Sequence, residues 1–235
     1  MVKVWFYDKK TLGVSNFGDI LTPHILNYYN IDWVSASKQE ADIFMTGSII
    51  KQVTSKATVY GSGVMFKTDR IEPSATYKWV RGPITRECIL KSGGSCPEVY
   101  GDPALVLPKM IDTDITKVGK VGYTPHFLDY SRYSNKFDNV INLDNDNPIE
   151  VAKKIASYEK IISSSLHGII AAHALGIPAA WVPSKNVKGD DSKFYDHYLS
   201  VELEPIKSTI DSPIYQVPNT IMISHIENLL KELSL

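Results

Sequence analysis

Among the residues of this sequence, His167 occupies the position best suited to a catalytic side chain. Residues 160–163 are typical of a buried strand, 166–175 have a helical pattern, and 179–182 are apolar again. This order predicts a β-α-β unit with His167 where the strand's carboxyl end meets the helix's amino end. The free N–H groups of a first helical turn favour an anion there. A bound dianion would favour the imidazolium, which can act as a general acid. The alternative is a structural, hydrogen-bonded histidine.

A second strand-to-helix junction contains Gly13-Val-Ser-Asn16-Phe17-Gly18-Asp19. Gly18 would allow a ligand to approach the backbone, and Asp19 could hydrogen-bond to a hydroxyl or take a proton from it. The alternative is that Asp19 caps the helix that follows and favours its positive end.

The third junction is Trp79-Val80-Arg81-Gly82-Pro83, with proline at the first helical position. A cation above the amino end of a helix is unfavourable unless something negative lies beside it. The pattern therefore favours a phosphate or carboxylate held by Arg81 in a bidentate manner. The alternative is an ion pair with a nearby acid such as Glu87.

The fourth junction, 121–130, places Tyr123 and His126 at the end of another predicted strand, where both could line a cleft. A histidine in a loop can equally be part of hydrogen-bonded structure. His173 lies six residues after His167, about 240° around the helix, and is therefore expected to be structural.

Two other motifs are better explained as structure. Asp144-Asn-Asp146 resembles an Asp-x-Asp metal site, but Asn147-Pro148-Ile-Glu150 follows and is typical of a capped helix start. Gly61-Ser-Gly63 is too short for a dinucleotide fingerprint, and the sequence has no phosphate-binding loop with Gly-Lys-Ser/Thr. We therefore expect no metal site and no ATP-type phosphoryl transfer.

Strand-like and helix-like segments alternate along the chain, which predicts an α/β fold with largely parallel strands. A polar stretch at 107–117 indicates a linker between two Rossmann-like domains, 1–110 and 111–235, with a cleft between them. The order leaves open that the C-terminal helix packs back on the first domain. Strands are predicted at 2–7, 42–46, 58–61, 77–80, 98–100, 118–123, 139–143, 160–163 and 179–182, and helices at 18–29, 83–92, 148–158, 166–175 and 220–233.

The composition excludes several classes of protein. The 235 residues include 25 basic and 26 acidic side chains, which gives no global attraction to nucleic acid. The amino terminus has no signal-peptide pattern and no apolar run is long enough to span a bilayer. A cytoplasmic protein is expected, with peripheral association at the inner face of the membrane left open. Cys88 and Cys96 lack metal spacing and are expected to be reduced.

Taken in order, the motifs resemble those of the polysaccharide pyruvyltransferase family. The resemblance covers most of residues 1–200 and rests on Asn16-Phe-Gly-Asp19, Arg81-Gly-Pro83, Gly101-Asp-Pro-Ala-Leu-Val-Leu-Pro108, Pro125-His126, Ser165-Leu-His167-Gly168 and Lys188-Gly-Asp-Asp-Ser-Lys193-Phe-Tyr-Asp196-His-Tyr198.

The resemblance implies a two-domain fold like that of GT-B-type glycosyltransferases. It also implies transfer of the enolpyruvyl group of phosphoenolpyruvate to two hydroxyls of a sugar in a polysaccharide or its precursor, which forms a pyruvate ketal without a cofactor. The acceptor is expected to be a saccharide or a lipid-linked saccharide. His167, Asp19 and Arg81 are the catalytic candidates. The donor-binding candidates are Arg81, Ser165, Leu166, His167, Gly168 and Lys193, and the acceptor-binding candidates are Asn16, Phe17, Gly18, Asp19 and His126.

Family members typically have an arginine directly before the Leu-His pair, where this chain has Ser165. Either Arg81 alone or one of Lys185, Lys188 and Lys193 must then supply the charge. Two other functions stay open at this point. One is a glycosyltransferase that uses a nucleotide sugar, and the other is a non-catalytic carbohydrate-binding protein of an assembly complex.

Overall fold

The chain folds into an α/β structure with two parallel sheets, as the sequence predicts. The computed structural model describes residues 1–112, 114–221 and 223–233. The first sheet contains β1 (Val2–Val4), β2 (Trp33–Ser35), β3 (Ile43–Phe44), β4 (Thr58–Tyr60) and β5 (Thr76–Trp79), in the order β2-β1-β3-β4-β5. The second contains β6 (Gly119–Thr124), β7 (Tyr158–Ser163) and β8 (Ala179–Trp181), in that order.

Helices connect and flank these strands. In the described part of the chain they are α1 (Lys9–Leu12), α2 (Leu21–Tyr28), α3 (Pro83–Lys91), α4 (Leu107–Met110), α5 (Tyr130–Ser134), α6 (Pro148–Ala156), α7 (Leu166–Ala174), α8 (Ser192–Ser200) and α9 (Ser224–Glu232). Short 3₁₀ turns lie at Ile50–Gln52, Pro103–Val106 and Phe127–Asp129. None of the helices in these ranges is both long and apolar enough to cross a bilayer.

The unit around β7 and α7 forms for the reasons visible in its sequence. Ile161 and Ile162 of β7 are apolar and buried, and Ser163 at its end pairs in register with Thr124 of β6 and Trp181 of β8. Gly176, beyond the end of α7, takes a left-handed backbone with φ of 67°, which glycine adopts without a steric penalty. The carboxyl ends of β6 and β7 therefore meet at one edge, where the loop after β6 contains His126 and the first turn of α7 contains His167.

A continuous apolar core joins the two sheets. It contains Val4 and Trp79 from the first sheet together with Ile161 and Trp181 from the second, all with an exposed fraction of 0%. Complete burial of an apolar side chain of this size stabilises the fold by about 1.5–3 kcal/mol. Loops at the edges of both sheets are thereby held in fixed positions relative to each other.

Several sequence predictions are confirmed and others are wrong. The interpretation of 144–150 as a helix entry is confirmed, since Asn147 caps α6 by accepting from the N–H groups of Ile149 and Glu150. The segments 98–100 and 139–143 are not strands, and each contributes only an isolated bridge, at Tyr100 and at Val140. The strand β2 and the helices α1, α4, α5 and α8 were not predicted.

The predicted linker and the predicted C-terminal helix each contain one residue outside the described ranges. α4 occupies the start of the polar stretch 107–117, and residue 113 of that stretch lies outside the described residues. The predicted helix 220–233 is observed as α9, and its residue 222 also lies outside them. In α9, His225 Nε2 lies 2.8 Å from the Tyr100 carbonyl oxygen, so this helix contacts the first half of the chain.

Candidate active site

One cavity of about 430 Å³ collects residues from loops that follow strands of both sheets. From the first half of the chain it is lined by Tyr7, Leu12, Asn16, Asp19, Ser48, Ile49, Lys51 and Met65. From the second half it is lined by His126, Phe127, Leu128, Ser165, Leu166, His167, Lys188 and Lys193. These lining residues include three lysines and two histidines but a single carboxylate, so the cavity favours an anionic ligand.

His167 is held tightly on two sides. A Cβ atom on Gly18 would lie 1.9 Å from His167 Nδ1, so only glycine leaves room for the ring. On the other side, Nε2 lies 3.6 Å from Oδ2 of Asp102, whose exposed fraction is 0%. Neither Nε2 nor this oxygen has a hydrogen-bond partner, although both atoms are sealed from solvent. The imidazole therefore has one buried nitrogen facing a carboxylate and one nitrogen facing the loop that contains Gly18.

Asp19 lies in that same loop and is the carboxylate of the cavity. Burial raises the pKa of its carboxyl above the ordinary value, while His167, a hydrogen bond from Asn16 and the charge of Lys193 act in the opposite direction. Asn16 Nδ2 donates to Asp19 Oδ2 at 2.5 Å and fixes the carboxylate. A carboxylate with a raised pKa is a stronger base than an exposed aspartate, which suits the removal of a proton from a hydroxyl.

Lys193 supplies a buried cation to the cavity. Its exposed fraction is 7%. Burial and the charge of Arg81 lower the pKa of Lys193 to about 8, against the opposing effects of Asp19 and Asp191. A lysine with this pKa is still mostly charged at neutral pH. A bound anion would relieve part of its desolvation and stabilise the charged form further.

His126 is expected to be neutral, because burial and then the charge of Lys193 lower its pKa to about 4. Its backbone N–H donates to Ser164 Oγ at 3.0 Å, which ties the loop after β6 to the loop after β7. A neutral imidazole can both donate and accept a hydrogen bond, so His126 could bond to a hydroxyl group.

The serine run before α7 builds the turn that presents His167. Ser163 Oγ donates to the Thr124 carbonyl at 2.7 Å and accepts from the Ser165 N–H at 3.0 Å. No side chain caps the first turn of α7, so its N–H groups are left for a ligand, and Ser165, Leu166 and His167 line the cavity. Gly168 is required for packing, because a Cβ there would lie 2.5 Å from Thr124 Oγ1.

Arg81 lies away from the cavity lining and is fully buried. Its Nε is 3.2 Å from Oδ2 of Asp196, and its two terminal nitrogens donate to Ser48 Oγ at 2.8 Å and to the Val64 carbonyl at 2.6 Å. The ion pair considered as an alternative is therefore present with Asp196, whereas Glu87 pairs with Lys91. Through Ser48, Arg81 contacts the cavity wall indirectly, and its direct contact with an anion stays a prediction.

The remaining predicted site residues divide between the cavity lining and its support. Phe17 has an exposed fraction of 0% and belongs to the core, and Lys185 is not part of the lining. Lys188 lines the cavity, as does Lys51, which sequence reasoning missed. Asp102 was also missed as a site residue, although it belongs to the motif Gly101-Asp-Pro-Ala-Leu-Val-Leu-Pro108.

Tyr7 and Ser48 were missed because neither stands in a recognisable motif. Each lies shortly after a strand of the first sheet, β1 or β3, and that placement was the available signal. Within the ranges 1–112, 114–221 and 223–233, no group of three or more His, Cys, Asp or Glu side chains is arranged to hold a metal ion.

Fold and site together define an α/β protein with a cavity lined by three lysines, two histidines and one carboxylate. Residues 2–186 match the family model described as polysaccharide pyruvyl transferase, and the chain belongs to this family. The resemblance found in the motifs is thereby confirmed.

The chain is also similar to an uncharacterized protein, L143, of Acanthamoeba polyphaga mimivirus. The two are 34% identical over 169 residues, which cover 66% of this chain and 58% of the relative. The matched region thus spans less than two thirds of that relative. No solved structure matches the chain.

Proposed function

We propose that this protein transfers the pyruvyl group of phosphoenolpyruvate to two hydroxyls of a saccharide, forming a cyclic ketal and releasing phosphate. Family membership supports a pyruvyl transferase, with a saccharide as acceptor. The observation that carries the finer proposal is that His167, Asp19 and Lys193 line one cavity whose charged groups are mainly cationic. Such a cavity suits a small donor with a phosphate and a carboxylate.

The donor is bound by Lys193, by Lys188 and by the uncapped first turn of α7. A buried ammonium and aligned N–H groups together stabilise a dianion. Lys193 supplies the charge of the arginine that family members have at the position of Ser165. Arg81 forms an ion pair with Asp196, and Lys185 lies outside the lining. A cation of this kind binds as a point charge and lacks the bidentate geometry of arginine.

The reaction begins with addition of a proton to the methylene carbon, which becomes a methyl group. Carbon 2 is then electron-poor, and one sugar hydroxyl bonds to it and loses its proton. The bond between carbon 2 and the phosphate oxygen breaks, and the second hydroxyl bonds to carbon 2 and loses its proton. One of the two hydroxyl protons replaces the proton used on the methylene carbon, and the other leaves with phosphate.

His167 is the candidate acid for the methylene carbon, and Asp19 is the candidate base for the hydroxyls. Asn16 and His126 offer hydrogen-bonding groups to the acceptor, while Gly18 leaves the space that the His167 ring occupies. No metal ion or organic cofactor takes part in the reaction as proposed.

We also propose the domain arrangement of a GT-B-type transferase, with Rossmann-like domains at 1–110 and 111–235. The two parallel sheets and a cavity lined from both halves support it. The shared apolar core joins the two halves. A cytoplasmic location, where the donor is available, is part of the same proposal.

Calorimetry and mass spectrometry test the function. The protein is titrated with phosphoenolpyruvate and, separately, with nucleotide sugars, and candidate saccharides are then incubated with protein and phosphoenolpyruvate. We expect phosphoenolpyruvate to bind and a saccharide to gain one pyruvate as a ketal, with one phosphate released. Binding of a nucleotide sugar with transfer of its sugar, or binding of neither ligand, contradicts the proposal.

A histidine variant tests the assignment of the acid. His167→Asn is expected to lower turnover on the order of 10²-fold or more, the range that a positioned general acid contributes. The matched control is His24→Gln on α2, a partly buried histidine outside the cavity lining, which should keep wild-type turnover. Wild-type turnover in a folded His167→Asn protein rules out the assignment.

A further inference from the structure

The pair of orphaned buried atoms beside the cavity, His167 Nε2 and Asp102 Oδ2, has no role in the fold. Each atom is sealed from solvent without a hydrogen-bond partner, and they lie 3.6 Å apart. A buried polar atom that lacks a partner destabilises the folded state. The two atoms face each other just beyond hydrogen-bond distance, so a small movement of the imidazole ring would let them bond.

The other oxygen of Asp102 is occupied by the backbone. Oδ1 accepts from the Ala104 N–H at 2.9 Å and caps the 3₁₀ turn Pro103–Val106. This turn packs against α7, which contains His167. The carboxylate is therefore fixed by its cap, and its free oxygen is fixed in direction toward the imidazole.

We propose that Asp102 is a positioning residue for His167, in the reaction proposed above. Its Oδ2 accepts the Nε2–H proton, which selects the tautomer with Nδ1 free for proton transfer. The same carboxylate stabilises the imidazolium when Nδ1 takes up a proton. A carboxylate that orients a catalytic imidazole through its second nitrogen is a general device of acid–base sites.

Other charged groups around His167 do not duplicate this role. Asp19 lies in the loop before α2 and interacts electrostatically with His167, and His126 after β6 and His197 of α8 are also within electrostatic range. A histidine side chain is neutral or cationic, so neither of these two supplies an anion. Asp19 lines the cavity, where the substrates need it, whereas Asp102 does not.

Asp102→Asn tests the proposal, because the Asn oxygen can keep the cap on Ala104 while an amide N–H₂ replaces the orphaned oxygen. The amide can donate only to an unprotonated Nε2, so we expect the proton to move to Nδ1. The ¹⁵N chemical shifts of the His167 ring, measured at about pH 8.5 where an ordinary imidazole is neutral, report this directly. Turnover is expected to fall on the order of 10²-fold. The KM for phosphoenolpyruvate should change by less than about threefold in either direction.

A second variant, Asp102→Ser, keeps a capping side chain that is too short to reach His167. It should lose turnover to a similar extent, and it replaces Asp102→Asn if that protein fails to fold. An Nε2–H tautomer that persists in Asp102→Asn overturns the proposal, whether turnover falls or not. Failure of the proposed function is recognised separately, because wild-type protein would then form no ketal while the ring shifts still report on the pair.

Discussion

The buried pair formed by His173 of α7 and His197 of α8 predicts a loss of stability in acid. Their exposed fractions are 1% and 0%, and His173 Nδ1 lies 3.0 Å from His197 Nε2. One neutral ring donates a hydrogen bond to the other. Adding a proton to either ring would place a positive charge in a buried site. Burial lowers the pKa of His173 to about 4 and that of His197 well below its ordinary value.

The magnitude follows from the difference between folded and unfolded states. The pKa of His173 falls from 6.5 to about 4 on folding. Between those values the unfolded chain binds a proton that the folded chain refuses, so the free energy of unfolding decreases as the pH is lowered. A drop of about 2.5 pH units, at about 1.4 kcal/mol for each, gives a loss of about 3 kcal/mol that is complete near pH 4.

Urea unfolding at about pH 7 and about pH 4 measures this loss in wild type and in His173→Gln. Glutamine can still hydrogen-bond to His197 but cannot take up a proton in this range. We expect the variant to lose about 3 kcal/mol less than wild type over the same interval. Asp19 and Asp196, whose buried carboxyls have raised pKa values, contribute with opposite sign in both proteins. His197, whose pKa is lowered by burial and then by the charge of His173, contributes with the same sign as His173 in both.

Tyr198→Phe is the matched control. Its ring packs edge-on against His173 at 5.5 Å, and its buried hydroxyl has no hydrogen-bond partner. Burial raises the pKa of Tyr198, so it does not titrate between pH 4 and pH 7. This variant should keep the wild-type pH dependence. Equal losses in wild type and in His173→Gln would refute the reasoning.

Two further substitutions test the packing that supports the cavity. Gly18→Ala should displace the His167 ring, since the added Cβ would lie 1.9 Å from Nδ1. Turnover should fall more than about tenfold, while urea unfolding shows a folded protein. Unchanged turnover would contradict the close approach. Arg81→Met should lower the free energy of unfolding by about 3–5 kcal/mol, because Asp196 is left buried without its cation. Lys91→Met, which breaks an exposed ion pair, is the control and should leave stability almost unchanged. An Arg81→Met protein with wild-type stability would contradict the role given to the buried pair.

The β-α-β unit around His167 could be predicted from sequence because its signals are local. The apolar run of β7, the serines that follow and the left-handed glycine after α7 all lie within a short stretch. β2 gave no such signal, since its three residues are half-buried or exposed at the edge of the sheet. The start of α8 was not recognisable because the segment before it, 188–191, is polar and Asp191 takes a left-handed backbone with φ of 64°.

The support of the site could not be predicted from sequence because it depends on contacts between distant segments. Arg81 and Asp196 are far apart in sequence, and only the packing of α3 against α8 brings them together. The same holds for Asp102 and His167, which belong to different motifs. The spacing of the motifs could indicate candidate site residues, but it could not indicate which distant side chain each of them contacts.

A single face of α8 binds three different parts of the molecule. Lys193 reaches the cavity, Asp196 holds Arg81 and the side chain of Thr85, and His197 contacts His173. Lys193, the cation that we propose in place of the family's arginine, is therefore supplied by a helix whose docking depends on both halves of the chain. Local opening of α8 would empty the anion site while both sheets remain intact, so donor affinity should report on the docking of this helix before any global unfolding is seen.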